Sequence, residues 1–478
     1  MYTIVSVDAR VTPVATRIPF RYGIAQMTEA PHVVIEVELC TPVGTSRGWA
    51  SEHLPPKWFT KDPGTSFVDD IGDMVTVITH AVDAAIGRHA ETVFALWRDL
   101  DRVQTEWAAL QGIPGLLSGL GTALVERALI DAACRAHATP LIDALHEGTL
   151  GFDPGALHPE LRGIAWSDLL PRTPATSIAI RHTIGLADAL TDDEAVDDAP
   201  DHLPVSLEGT LARYGATHLK IKTTGDLAGD TARLARIIDL TEKVGSPVEF
   251  TIDGNESMTD ADHFLSWILG LLSHPVIGST LSERLIAVEQ PFHRSMATSP
   301  AVRRALAQLG EQVAVIIDES DDRVEAVRDA LDAGYAGGTY KGCKGVFRGL
   351  ANGVLIASRS ASRRLVFTAE DLSTLPPLTV AQDVVVSLAL GLTHIERNGH
   401  HYFARLAPLG PTTDEDACTA HPETYERDGD GRVRLRIQQG RIDATSLLRA
   451  PFGFAPDIQL GSLAKLSTPN AVSGLSRH

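Results

Sequence analysis

Cysteine is scarce in this chain and carries no pattern. Cys40, Cys134, Cys343 and Cys418 are scattered over 478 residues with no CxxC pair and no ligand spacing. Neither a disulfide framework nor a zinc site is expected, and the thiols read as reduced. No apolar stretch reaches the roughly 18 residues that a membrane span needs. The N-terminus, MYTIVSVDARV, lacks a basic region followed by a long apolar run, so a cytoplasmic protein is expected. Positive charge is also short. Lys and Arg number 42 against 61 Asp and Glu, a formal net charge of −19, which argues against nucleic acid or an anionic membrane as partner. What is present, 44% hydrophobic and 22% charged residues, is ordinary for a soluble enzyme with a core of good size. The length implies two domains, or one large domain with extensions.

The most informative stretch is VEFTIDGNE, Val248 to Glu256, an apolar strand pattern that ends in an acid. Alternation puts Thr251, Asp253 and Asn255 on one face and Phe250 and Ile252 on the other. A carboxylate at the end of a buried strand is costly unless it is paired or holds a metal. LIAVEQPF ends on Glu289, and VAVIIDESD ends on Asp318 and Glu319. The three acids recur about one strand–helix unit apart, which would bring them to one mouth of a barrel. Three oxygens with little else nearby make a Mg²⁺ site, one divalent ion per subunit.

The rest of the chain fits this frame. From Thr3 to about His53, three β-rich stretches read as a meander. FRYGIAQMTEA would be a loop carrying Arg21, Tyr22 and Gln26. LPPKWFTKDP, with its prolines, would be a second loop carrying Lys57, Trp58 and Phe59. Residues 68–145 read as helices, which completes an N-terminal α+β domain over 1–145. Residues 146–174 are rich in Gly, Pro and His and form an irregular connection: a lid, an interface loop or a plain insertion. Over 175–405 eight strand-then-helix units follow, the pattern of an α/β fold with a closed (β/α)₈ TIM-type barrel. Residues 406–478 form an extension expected to pack back on the N-terminal domain. In it RVRLRIQQG reads as one more strand and AVSGLSRH as a loose end.

Lys220 and Lys222 flank Ile221 on the second barrel strand, so both ammonium groups share one face. Lys341 and Lys344 follow at the sixth strand. Strands two and six are opposite in a barrel, so Lys222 and Lys341 would approach one carbon from opposite sides. A metal that binds a substrate carboxylate stabilises the enediolate formed when the α-proton leaves. A lysine made neutral by nearby cations can take that proton.

The series LKIK, IDGN, VEQP, IDES and YKGCKG resembles the enolase superfamily. The match is closest to the muconate-lactonizing, two-lysine branch of its mandelate racemase and muconate lactonizing enzyme group. The resemblance implies that Asp253, Glu289 and Asp318 bind Mg²⁺ and that Lys222 and Lys341 are the acid/base pair. It further implies that Lys220 meets the substrate carboxylate, and that Asn255 and Glu319 support the metal ligands. The N-terminal domain is then a capping domain, and a homo-oligomer is expected. Strand seven ends TAEDL with no histidine, so the His–Asp base of the racemase and sugar-acid dehydratase branches is missing. Strand eight ends ERNGHHY, with Glu396 and Asn398 where dipeptide epimerases carry Asp-x-Asp.

The residues leave several roles open. In the GCKG run either Lys341 or Lys344 faces the lumen, with Lys341 preferred at the strand end. Glu370 and Asp371 bind substrate or cap the next helix. His400 donates a proton to a leaving group or, with His401, is a polar loop pair. Glu396, Asn398, His400, Lys57, Trp58, Arg21 and Tyr22 are the substrate-binding candidates. The expected function is Mg²⁺-dependent abstraction of the α-proton of a small-molecule carboxylate, by a racemase, epimerase or cycloisomerase. The alternatives are a dehydratase (a lyase) using the same lysines, or a barrel that binds metal and ligand without turnover.

Overall fold

The computed structural model describes residues 1–22, 25–196, 199, 201–245, 248–361 and 363–473. The chain opens with a meander of three long antiparallel strands: β1 (Tyr2–Tyr22), β2 (Ala25–Thr41) and β3 (Gly44–His53). Alternation in β2 turns Val33, Ile35, Val37 and Leu39 inward, all fully buried, while Glu36 and Glu38 stay partly solvated. The inner face is covered by α1 (Phe67–Ala85), α2 (Val93–Gln111) and α3 (Gly115–His137). Gly48 lets β3 press on α3. A Cβ there would lie 2.1 Å from the Ala132 nitrogen and 2.4 Å from the Ala128 carbonyl oxygen. The stretch expected as a loop around Arg21 is instead the end of a hairpin. β1 and β2 keep their pairing through Arg21↔Gln26 and Tyr22↔Ala25, because the extended ladder continues to the tip. Gly23 and Ile24 lie outside the described residues, as do the side chains of Tyr22 and Ala25.

Eight parallel strands then form the barrel: β4 (Ser177–Ile184), β5 (His218–Lys222), β6 (Glu249–Asp253), β7 (Leu285–Glu289), β8 (Val315–Ile317), β9 (Gly337–Lys341), β10 (Val366–Glu370) and β11 (His394–Arg397). Each pairs with its sequence neighbour from β4 to β10, and β11 closes back onto β4. β10 and β11 stand side by side at the last seam. No ladder joins them among the described residues. Arg181 of β4 spans this seam, donating to the Ala369 carbonyl at 3.2 Å. The expected strand–helix alternation is present, with helices such as α4 (Leu207–Tyr214), α5 (Leu227–Val244) and α6 (Ala261–Leu272) on the outside.

Helix α3 is buried along most of its length because it is the wall between sheet and barrel. Its polar residues serve that contact. Glu126 accepts the Val346 and Phe347 N–H groups at the start of the helix Val346–Arg359, and Arg127 pairs with Glu52 at 2.9 Å. The connection 146–174 packs at this same interface through single 3₁₀ turns. Phe152 stacks on Phe347, and His158 bonds Asn352 at 3.0 Å.

In the C-terminal stretch, Arg441–Asp443 adds an antiparallel strand to β4, and Ala464–Lys465 pairs with β1. The expected strand over RVRLRIQQG is shorter, Val433–Leu435, paired to Tyr425–Arg427. Residues 474–478 of the expected loose end lie outside the described residues. Among the described residues no helix is long and apolar enough to cross a membrane.

Candidate active site

The C-terminal ends of the barrel strands deliver a dense, buried set of charges. Lys220 stands at its centre, 2% exposed. Its Nζ lies 2.7 Å from Glu289, 2.8 Å from Glu370, 3.0 Å from Asp253 and 3.1 Å from Glu396. Lys222, two residues on and half-buried, donates to Asp253 Oδ2 at 2.5 Å. On the opposite side Lys341 donates to Asp318 Oδ2 at 2.7 Å and lies 3.3 Å from Glu370. Lys344 sits below and takes the other oxygen of Asp318, also at 2.7 Å. Lys341 is thus the lysine that lines the cavity, and Lys344 holds the acid beside it.

Of the three carboxylates expected to share a metal, the structure draws two to one point. Glu289, Asp318 and Glu370 each offer an oxygen within 4.8 Å of the others. Asp253 is not in this group. Its Oδ2 faces the two lysines of β5 and its Oδ1 accepts the Asn255 N–H at 2.7 Å. Spacing along the sequence could not reveal this, because Glu370 reaches the group across the lumen rather than along it. The donor set fits a hard cation: the oxygens are all carboxylate and all three residues are buried. Glu289 Oε2 is sealed from solvent and meets no donor, a costly state for a carboxylate oxygen that no cation faces.

The electrostatics follow from this crowding. Burial pushes the Glu289 carboxyl well above its ordinary range, and the charges of Asp253 and Glu370 add to the rise. Burial would raise Asp253 and Glu370 as well. Lys220 with Lys222, and Lys220 with Lys341, outweigh it and hold both carboxyls low. Burial would lower Lys220 and Lys341, yet the surrounding acids keep both as ammonium groups.

A cavity of about 360 Å³ opens above these charges, a size that suits a small organic ligand. Phe20, Trp58, Leu186 and Leu372 make it largely apolar, and Lys222, Lys341, Glu396 and Asn398 face it. The Trp58 ring lies over Lys341 with Nζ 4.4 Å from its centroid. Glu396 accepts from Thr183 Oγ1 at 2.5 Å and from Asn398 Nδ2 at 3.1 Å. Asn398 Oδ1 is buried without a partner. Asn255 Nδ2 donates to Glu319 Oε1 at 3.0 Å, so these two act on each other beside the cluster. Arg21 lines the cavity and bonds Gln26 at 3.1 Å; the Tyr22 side chain lies outside the described residues.

Of two further expected substrate contacts, Lys57 borders the cavity while His400 does not. The Lys57 ammonium turns into its own loop, onto Asp70, the Asp62 carbonyl and Thr65. The backbone there is left-handed, with φ 62°. His400 belongs to the short helix Gly399–Tyr402, which rotates its ring into the core against His182 and Tyr214. Burial holds His400 and His401 well below the usual imidazole range, and neither ring borders the cavity.

Lys61 and Arg181 were not legible as site residues. Lys61 Nζ crosses from the N-terminal loop to Glu256 at 2.8 Å and Glu319 at 2.9 Å. Nothing in the sequence distinguishes it from Lys57. Arg181 could have been placed by parity, since it shares the lumen face with Thr183. Its guanidinium bonds Glu370 at 3.0 Å.

No family model and no curated relative matches the sequence. Solved structures do. A mandelate racemase/muconate lactonizing protein from Herpetosiphon aurantiacus aligns with a TM-score of 0.59 at 17% identity, covering 96% of this chain and 99% of that one. An N-succinyl Arg/Lys racemase from Bacillus cereus gives 0.58 at 13% identity, with 93% and 97% covered. A dipeptide epimerase from Methylococcus capsulatus, complexed with Mg and the dipeptide L-Arg-D-Lys, gives 0.54 at 18% identity, with 92% and 99% covered. Identities this low show the fold, a barrel with an N-terminal antiparallel-sheet domain. Racemising, epimerising and lactonizing proteins all share it, so no single branch is picked out.

Proposed function

We propose that this chain is a divalent-cation-dependent enzyme that moves the α-proton of a bound carboxylate, as a racemase, epimerase or cycloisomerase does. The observation that carries this reading is the placement of Lys222 on β5 and Lys341 on β9. They stand four strands apart in an eight-stranded barrel, line one cavity and overlie one carboxylate cluster. Amines on opposite sides of a ligand suit removal of a proton from one face and its return to the other.

Glu289 and Asp318, with Asp253 as the third carboxylate that the resemblance implies, would hold a Mg²⁺ ion. When bound, such an ion supplies positive charge that stabilises the oxygens of a carboxylate whose α-proton has left. Asp253 and Asp318 are also the counter-ions of Lys222 and Lys341. A cation held there would compete with the two lysines for these carboxylates, which would leave one lysine free to act as base. Lys220, at the cavity floor, is placed to meet the substrate carboxylate. Trp58 covers Lys341 and keeps water from its ammonium. Asn255 and Glu319 brace the strand ends that carry Asp253 and Asp318.

The test is proton exchange in D₂O with Mg²⁺, followed by ¹H NMR on a panel of mandelate, N-succinylarginine, dipeptides and muconolactone. Loss of an α-proton signal with the carbon skeleton intact supports the reading. A keto acid product would move it to a lyase that uses the same lysines. Exchange that persists undiminished after complete removal of divalent metal would overturn it.

A further inference from the structure

The seam between β10 and β11 is the one place in the barrel wall where, among the described residues, no ladder joins neighbouring strands. Elsewhere the register of the ladder fixes where one strand end stands against the next. At this seam the spacing matters, because Asp371, Leu372 and Ser373 after β10 and Asn398 after β11 all line the cavity. A side chain takes the place of the missing ladder. Arg397, the last residue of β11, is 1% exposed. Its Nη2 donates to the Thr374 carbonyl at 3.0 Å and to Thr374 Oγ1 at 3.1 Å, and its Nη1 lies 3.0 Å from Asp371 Oδ2. Asp371 Oδ1 in turn accepts the Ser373 N–H at 2.8 Å. Ser373 has φ 59°, a left-handed conformation that a serine keeps only where its surroundings hold it. Gly399 lets the two segments close, since a Cβ there would lie 2.2 Å from the Thr374 carbonyl oxygen. The guanidinium is anchored from behind as well. Asp383 lies 3.9 Å from Nη1, Arg127 of α3 attracts Asp383, and Glu52 of β3 pairs with Arg127. Buried charges of alternating sign thus run from the N-terminal sheet to the cavity wall.

We propose that Arg397 is a positioning residue for the ligand. It staples the turn 371–374 to the end of β11, and so sets the apolar Leu372 and the polar Asn398 at a fixed distance in the cavity wall. The proposal rests on the reading of this cavity as the substrate site. Arg397 itself does not border the cavity, so it acts through the residues it holds. Lysine cannot replace it, because one ammonium cannot span Asp371 and both Thr374 oxygens as a planar fork does.

The test is amide hydrogen–deuterium exchange of the full-length chain, read by mass spectrometry with the β7 peptide as internal control. Arg397→Lys is expected to cut protection over 371–375 by about tenfold, the loss of a hydrogen bond to a charged group, and to leave β7 unchanged. Thr374→Val keeps the ion pair with Asp371 and is expected to loosen the same segment to a smaller degree, which carries the test even if Arg397→Lys folds poorly. Wild-type protection over 371–375 in these variants would overturn the proposal. So would an equal loss in β7, which would make Arg397 a support of the whole fold. The kinetic arm uses whichever of mandelate, N-succinylarginine, the dipeptides and muconolactone the wild type exchanges. Arg397→Lys should raise KM by about tenfold with kcat little changed. An unchanged KM, or a fall in kcat at the wild-type KM, would overturn the proposal. A wild type that exchanges none of these carboxylates sinks the proposed function instead, a failure that the amide readout does not share.

Discussion

Lys61 of the N-terminal loop and Glu319 at the end of β8 meet at 2.9 Å across the mouth of the barrel. The same ammonium holds Glu256 at 2.8 Å, and Arg294 ties Glu256 to the Phe59 and Trp58 carbonyls. The segment that carries Trp58 is thereby pinned over Lys341 from both sides. Lys61 also has a left-handed backbone, φ 52°, which is costly for a side chain other than glycine.

From this comes the first prediction. Lys61→Ala leaves Glu319 buried without its cation and should destabilise the fold by about 1–3 kcal/mol, read by denaturant unfolding. The loop around Trp58 should become the first site of limited proteolysis. Lys57→Ala is the contrast, since its ammonium serves its own loop and α1; its loss should not expose Glu319. A Lys61→Ala loop that resists protease as the wild type does would mean that the cap is held by something else.

A second prediction concerns metal and stability. Glu289 and Asp318 are buried beside oxygens of like charge, so a cation that binds only the folded chain must stabilise it. At a hundredfold excess over its dissociation constant the gain is about 2.7 kcal/mol. The melting temperature should rise with added Mg²⁺ and fall back with chelator, and Glu289→Gln should lose the effect. A melting temperature that ignores Mg²⁺ over the millimolar range would contradict the site.

The third prediction is a pH dependence set outside the site. His32 and His53 are cross-strand neighbours on β2 and β3, wholly buried, and none of their ring nitrogens has a hydrogen-bond partner. Burial pushes both down to about 3, with mutual repulsion and Arg127 adding to the fall at His32. In the unfolded chain each would protonate near 6.5. Between 6.5 and about 3 the unfolded state therefore binds more protons, and stability must fall as pH falls. The slope is roughly 1.4 kcal/mol per pH unit for each histidine well inside that window. His53→Phe should flatten the fall of the urea midpoint between pH 6.5 and 5. An unchanged slope would show that other groups carry it.

The strand ends were readable because apolar runs stop on acids and lysines at barrel spacing: Asp253, Glu289, Asp318, Lys222 and Lys341 all lie where the alternation puts them. What the sequence could not carry was reach. Glu370 joins the cluster from across the lumen, and Asp253 meets it through Lys220, whose ammonium also holds Glu289 and Glu370. The loops failed for a related reason. Lys57 and Lys61 look alike in KWFTK and share a left-handed backbone, and only the folded loop puts Lys61 on Glu319 and Lys57 on Asp70. His400 follows a strand at the mouth, but one turn of helix swings its ring into the core.

The last prediction separates the two lysines. If Lys222 and Lys341 flank the α-carbon, each serves one face of it, and removing one should not remove both half-reactions. Lys222→Ala should still exchange the α-proton of one stereoisomer in D₂O while its mirror form stays protonated, and Lys341→Ala should show the opposite preference. The blocked half-reaction should slow by about a hundredfold to ten-thousandfold, the usual contribution of a positioned acid or base. Interconversion of the stereoisomers needs both faces and should be lost in either variant. Lys220→Ala offers a contrast, because that ammonium lies beneath the cavity and touches four acids. It should slow both faces alike and weaken ligand binding. If either single lysine variant silenced exchange of both stereoisomers equally while still binding ligand, the two amines would not stand on opposite faces, and a one-base reaction would replace the two-base one.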